Sequence, residues 1–338
     1  MIALVLESPG HAVCRTVSDP PPPTAGEILL DVRMVGLCGS DLNSYRGRNP
    51  LVTFPRTPGH EVAAVVAELN PDFPEWQPGT PVTLSPYSHC GACPSCLRGR
   101  PNACQHNQTL GVQRDGALTQ RIAVPASHLF RANLSLRELC LVEPLTVGFH
   151  AAARGRVSPQ DVVAVFGCGG IGLGAVAGAA FRGATVIAVD LDDAKLATAQ
   201  KAGAQHLLHS GRTDLAAQLA ELTQGRGPDV VIEAVGLPQT FRAAVELVAF
   251  TGRVVYIGYA KEPVAYETRL FVQKELDILG SRNALPEDFQ AVIRMLEAGT
   301  FPVDDTISRV VPLADAPAIL DEWSGDPLRF TKILIQVD

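Results

Sequence analysis

Half of the chain's eight cysteines, Cys90, Cys93, Cys96 and Cys104, fall in the stretch SHCGACPSCLRGRPNAC, residues 88–104. Two-residue spacings let thiolates turn inward around one ion, and four sulfurs complete the closed tetrahedral shell that suits zinc. Such a site fastens its loop and, with no open coordination position, catalyses nothing. A similar run can ligate an iron–sulfur cluster, but no flavin or electron-transfer companion accompanies it here. His89 and His106 flank the cluster and are surplus to a four-thiolate shell.

A second set of donors is more dispersed. GLCGSD carries Cys38, and PGHE carries His60 and Glu61: a soft ligand, an imidazole and a carboxylate among glycines and prolines. Taken singly, each has an ordinary reading, a buried thiol or a solvated turn histidine. A third group is VVAVFGCGGIGLGAV, in which Gly167, Gly169 and Gly172 form G-x-G-x-x-G between a strand and a helix, with Gly170 and Ile171 inside it. There a pyrophosphate approaches bare backbone and meets helix N-terminal amides. ATVIAVD then ends in Asp190, 18 residues past Gly172, where a carboxylate accepts hydrogen bonds from the adenine-ribose hydroxyls and repels a 2′-phosphate. DLDDAK adds negative charge without a neighbouring arginine, so NAD is expected over NADP.

These groups need elements to hold them. A chain of 338 residues implies two domains. Residues 1–150 are β-rich, with EILLDVRMVGL, EVAAVVAEL and TPVTLSPY as strands and little helical periodicity. From about residue 155 strand and helix alternate, the mark of a parallel sheet covered on both faces. DVVAVF, ATVIAVD, DVVIEAV, GRVVYIG and LDILG read as its strands, DDAKLATAQKAGA as a helix ending at Gly203 and LPQTFRAAVELVAFTG as one ending at Gly252. EDFQAVIRMLEAGTF reads as an amphipathic helix before closing strands that return to the first domain. The uncharged run 162–181 has the length of a membrane span, but its six glycines and abruptly ending β-branched stretch mark a strand, a turn and a buried helix. A formal charge of −7 disfavours a polyanion-binding surface, and the N-terminus lacks the basic region of a secretory signal, so a cytoplasmic, reduced setting is expected, with no nucleic-acid or membrane partner.

Taken together, GLCGSD, PGHE, the four-cysteine loop, EPLTVGFHA, GCGGIGLGA and VIAVD, in that order, resemble the zinc-dependent medium-chain dehydrogenase family in its sorbitol (polyol) dehydrogenase branch. The likeness spans essentially the whole chain. It implies an α/β fold: a GroES-like catalytic domain with a structural zinc lobe over residues 1–149 and a doubly wound Rossmann domain over 150–281. Residues 282–338 would return to the first domain. It implies two zincs per chain and NAD as cofactors. By the same likeness Cys38 and His60 are catalytic-zinc ligands, Glu143 of EPL stands at the third-ligand position, and Glu61 lies close to the ion. Asp41 would fix the His60 tautomer, and Ser40 would pass the substrate proton. Asn43 departs from the pattern, since many members carry a relay histidine there and an amide does not titrate.

QKELDILGSRNALPEDF, residues 273–289, looks like the corresponding stretch of bacterial L-galactonate-type oxidoreductases, and makes Arg282 and Asn283 candidate substrate contacts. The expected activity is NAD-linked oxidation of a secondary hydroxyl in a polyol or sugar acid by a homodimer or homotetramer. Alternatives are an L-threonine 3-dehydrogenase, a simple alcohol dehydrogenase, and, outside enzymes, a zinc-ribbon scaffold using Arg98, Arg100 and Arg114. Cys14, Cys140 and Cys168 are expected to be plain thiols, and His150 a core residue.

Overall fold

The computed structural model describes residues 1–337 and divides into two units: Met1–Pro144 with Val303–Asp338, and Leu145–Pro302. The return to the first unit thus begins at Val303 rather than at residue 282. The amphipathic helix Pro286–Glu297 belongs to the second unit, where it buries Phe289, Val292, Ile293 and Leu296. The first boundary falls inside a helix, Leu136–Arg154, which carries the EPL segment and Pro144. Residues 1–150 are therefore less uniformly β than the sequence pattern implies. The run LCLVEPLTVGF is apolar on nearly every side, so no single helical face stands out.

The first unit is built on a sheet in the order Arg309–Pro312, Ile333–Gln336, Glu27–Leu37, Glu61–Val66, Pro81–Leu84, Leu129–Arg131, with Arg121–Pro125 also paired to Glu27–Leu37. The central strand Glu27–Leu37 alternates half-buried and buried residues until Val35, then stays buried to Leu37, as a strand entering a core should. The closing strand Ile333–Gln336 pairs antiparallel with it, Ile333 opposite Leu37. Leu30, Val35, Val62, Val82 and Ile335 meet in one apolar cluster that also holds Trp323, with Trp76 packed against it.

The second unit is a six-stranded parallel sheet in the order His206–His209, Thr185–Asp190, Val162–Phe166, Val230–Glu233, Arg253–Tyr256, Asp277–Gly280. The order reverses between Val162–Phe166 and Val230–Glu233, the switch point where doubly wound sheets take their ligands. His206–His209 is a strand that the sequence pattern did not reveal, because four residues flanked by imidazoles give no apolar run. The helix beginning at Pro238 stops at Leu247, not at Gly252: Val248 turns to extended backbone and the buried Ala249 follows it. The stretch 162–181 is the expected strand, turn and helix, and no helix among the described residues is long and apolar enough to cross a membrane.

Candidate active site

The sulfurs of Cys90, Cys93, Cys96 and Cys104 gather within 4.8 Å of one another. Cys93 lies 3.5 Å from Cys96 and 3.8 Å from Cys104, and Cys104 lies 3.6 Å from Cys90. Zinc–sulfur bonds of about 2.3 Å at tetrahedral angles demand sulfur separations of about 3.8 Å, whereas a disulfide needs about 2 Å. Backbone amides point at the same sulfurs, Cys93 at Cys90 (3.3 Å) and His106 at Cys104 (3.3 Å). Amide donors pull the Cys93 thiol pKa down, while burial and the neighbouring sulfurs push that of Cys96 up. Four thiolates so close require a cation, and a tetrahedral zinc fits. The lobe hangs from a two-stranded ribbon, Tyr87–Ser88 against Gln108–Thr109.

The second cluster brings Cys38, His60 and Glu61 within the same 4.8 Å limit, from segments separated in sequence. Cys38 follows the strand Glu27–Leu37 and precedes the helix Gly39–Tyr45, and Glu61 opens the adjacent strand. Asp41 ties the two segments: its carboxylate accepts the Cys38 amide at 2.9 Å and the Gly59 amide at 3.2 Å. This corrects the expectation that Asp41 hydrogen-bonds His60, because the Nδ1 atom stands 3.8 Å away, at ion-pair range only. Ser40 Oγ lies 3.5 Å from His60 Nε2 and is half-buried, whereas Asn43 is exposed. Burial opposes a charge on His60, but Asp41, Cys38 and Glu143 outweigh it and lift its pKa well above the ordinary imidazole value.

Glu143, placed by the sequence at the third-ligand position, lies outside the tight triad, and Glu61 is inside it. The Glu143 carboxylate accepts the hydroxyl of the buried Tyr87. Burial outweighs the pull of His60 and, with the charge of Glu61, pushes Glu143 up to about 6. Glu61 fits so closely that a Cβ on Gly36 would stand 2.1 Å from its Oε2. Both Glu61 oxygens accept from Lys332 Nζ at 2.6 Å, and the same ammonium donates to the Leu37 carbonyl at 3.2 Å. Burial works against the Lys332 charge, but Glu61 overcomes it and raises the pKa. Sequence reasoning missed both Tyr87 and Lys332. A lysine opening the apolar closing run KILIQV was the available signal for the second. Cys38, Glu61 and Glu143 lie around Lys332, and Asp41 and Glu143 around His60, a donor set of sulfur, imidazole and carboxylates that suits a divalent zinc.

In the second unit Gly169 decides whether a dinucleotide fits. A Cβ on Gly172 would stand 1.8 Å from the Gly167 carbonyl, so the turn itself requires that glycine. A Cβ on Gly169 would meet nothing within 4 Å, and its φ of −70° suits any residue. Its bareness therefore serves something other than the chain, and the space lies at the uncapped start of the helix Gly170–Phe181, where a pyrophosphate fits. Asp190 is held by the amides of Cys168 (2.6 Å), Leu191 (2.7 Å) and Asp192 (3.1 Å). The fold does bring an arginine near, Arg212, but its guanidinium is paired with Asp193 at 2.9 Å. Arg282 is exposed and Asn283 half-buried with φ 52°, both directly beyond the edge strand Asp277–Gly280. Cys14, Cys140 and Cys168 carry free thiols, and the buried His150 holds Asp288 at 2.8 Å.

Residues 24–133 match the alcohol dehydrogenase GroES-like domain and residues 170–298 the zinc-binding dehydrogenase family. A zinc-type alcohol dehydrogenase-like protein of Haemophilus influenzae is 33% identical over 98% of this chain and 97% of its own. The chain belongs to the zinc-type alcohol dehydrogenase family. It is a dehydrogenase of that family, with zinc as its metal. The L-galactonate-5-dehydrogenase of Escherichia coli K12 is 31% identical over 93% of this chain and 92% of its own. An Escherichia coli alcohol dehydrogenase solved with NADH superimposes with a TM-score of 0.89 at 28% identity, covering 99% of each chain.

Proposed function

We propose that the enzyme oxidises a secondary hydroxyl of a polyol or sugar acid to a ketone, the hydride passing to NAD and the hydroxyl proton to Ser40. The observation that carries this reading is the convergence of Cys38, His60 and Glu61 on one point, with Glu143 beside them. Zinc, when bound, would supply Lewis acidity to the substrate hydroxyl. Cys38, His60 and Glu61 would hold it, Asp41 fixing the backbone of Cys38 and of Gly59, which precedes His60. Ser40, half-buried beside His60, relays the proton, accepting it as its own hydroxyl proton passes to water, so no titrating group is needed at Asn43. Glu143 faces the reacting hydroxyl. Gly167, Gly169, Gly170, Ile171 and Gly172 carry the pyrophosphate and Asp190 the adenine ribose, with Arg212 neutralised by Asp193 and so of little use to a 2′-phosphate.

The likeness to an L-galactonate dehydrogenase supports the substrate class, and Arg282 with Asn283 are the proposed carboxylate and hydroxyl contacts. Assembly as a dimer or tetramer in the cytoplasm is part of the same reading. The unpaired edge Asp277–Gly280, with Ile278 exposed, is the proposed contact. Incubation with NAD and a panel of pentitols, hexitols and hexonates tests the reaction. Silence on the whole panel together with rapid turnover of threonine or ethanol would replace it with one of the two other dehydrogenase readings.

A further inference from the structure

The four-cysteine lobe and the Cys38–His60–Glu61 cluster belong to the same unit, and one side chain connects them. Tyr87 lies in the two-residue ribbon that forms the neck of the lobe, opposite Thr109. One ribbon strand runs on to Cys90, and the other is entered from Cys104. The Leu110 amide donates to the Pro86 carbonyl at 3.1 Å, closing the neck on its inner side, and the Cys90 amide points at the Cys104 sulfur at 3.4 Å on its outer side. Two paired residues on each strand fix little by themselves, so closure of the lobe around its ion sets the register of the neck. The Tyr87 side chain is buried and turns inward, where its hydroxyl donates to the Glu143 carboxylate.

We propose that Tyr87 is a positioning residue that fixes Glu143 at the catalytic centre, and that the cysteine lobe acts on that centre by fixing Tyr87. The proposal rests on the reading that Glu143 faces the metal-bound side of the cluster. A phenol clamped at the neck and hydrogen-bonded to a buried carboxylate restricts that carboxylate to one orientation. A loosened neck would remove that hydrogen bond without disturbing Cys38 or His60, whose segments are tied by Asp41 instead. The lobe is then more than a local fastener.

The test uses full-length protein with zinc in the lobe and cobalt at the catalytic centre, read by the visible cobalt spectrum, with NADH binding as the control for folding. Tyr87→Phe should shift the cobalt bands and leave the NADH Kd within twofold of the parent. Glu143→Gln should shift them too, and the double variant should add nothing to the larger single effect. A parental spectrum for Tyr87→Phe, alongside a shifted one for Glu143→Gln, overturns the proposal and leaves the reading of Glu143 standing. A parental spectrum for Glu143→Gln overturns that reading and the proposal with it. Cys90→Ser, which loosens the lobe, should shift the bands in the parent but not in the Tyr87→Phe background, and equal shifts in both would show that the lobe acts by another route. If Cys90→Ser does not accumulate as folded protein, the Tyr87 and Glu143 cycle decides the positioning role alone.

Discussion

Lys332→Met should cost about 3–5 kcal/mol, because it strands the Glu61 carboxylate in a buried site without its partner. The two side chains are 5% and 0% exposed, and both carboxylate oxygens lie 2.6 Å from the ammonium. Solvent therefore cannot take over the lost interaction. In a unit of this size each kcal/mol lowers the midpoint by about 2–4 °C, so a fall on the order of 10 °C follows. The assay is specific to the unit concerned, since the chain's two tryptophans, Trp76 and Trp323, both belong to the core of the first unit, and fluorescence reports its unfolding alone. The double variant Lys332→Met/Glu61→Gln removes the stranded charge and should recover at least about 2 kcal/mol, with the neutral amide keeping a smaller polar cost. A double variant as unstable as Lys332→Met would refute the reasoning, because it would mean that lost packing of the lysine stem, and not an unpaired carboxylate, sets the cost.

Gly169→Ala should leave the melting temperature unchanged and raise the NADH Kd more than tenfold, whereas Gly172→Ala should destabilise the second unit by about 1–3 kcal/mol; unaltered NADH binding in Gly169→Ala would show that the open space is not the pyrophosphate site. Asp190→Ala should abolish the preference for NAD over NADP, measured as the ratio of the two Kd values. Although burial opposes it, Arg253 and Ser158 hold the Asp161 carboxyl below its ordinary value, so its contribution is complete above pH about 4 and is lost as pH falls through the lower folded value. Asp161→Asn should cost about 1–3 kcal/mol at pH 7, and its deficit against the parent in denaturant unfolding should shrink below pH 4.

Motifs confined to a few consecutive residues were legible because their chemistry is local. The cysteine spacings, the glycine turn with Asp190, and the strand Glu27–Leu37 emerge as read, since each is fixed by ligand geometry, backbone approach or period-two burial within one segment. Partners drawn from remote segments were not legible. Lys332 meets Glu61 only because Ile333 falls opposite Leu37 in the sheet, a register that no local pattern encodes. The same holds for Asp41, whose carboxylate spans to Gly59 rather than reaching the imidazole, and for the sixth strand, too short and too polar to declare itself.

Asp41, Lys332 and Tyr87 have a common effect on the centre. Each secures a different donor: Asp41 the backbone at Cys38 and beside His60, Lys332 the Glu61 carboxylate, Tyr87 that of Glu143. Three independent restraints on four donors leave the cluster assembled before any ion arrives, so metal binding need not order the site and its affinity is not reduced by that ordering cost. Loss of any one restraint should therefore weaken the catalytic metal while leaving the thiolate lobe filled. Metal analysis after a mild chelator challenge should then find one zinc per chain in Lys332→Met and two in the parent. Two in both would mean that Cys38 and His60 hold the ion without help from the carboxylate that Lys332 secures.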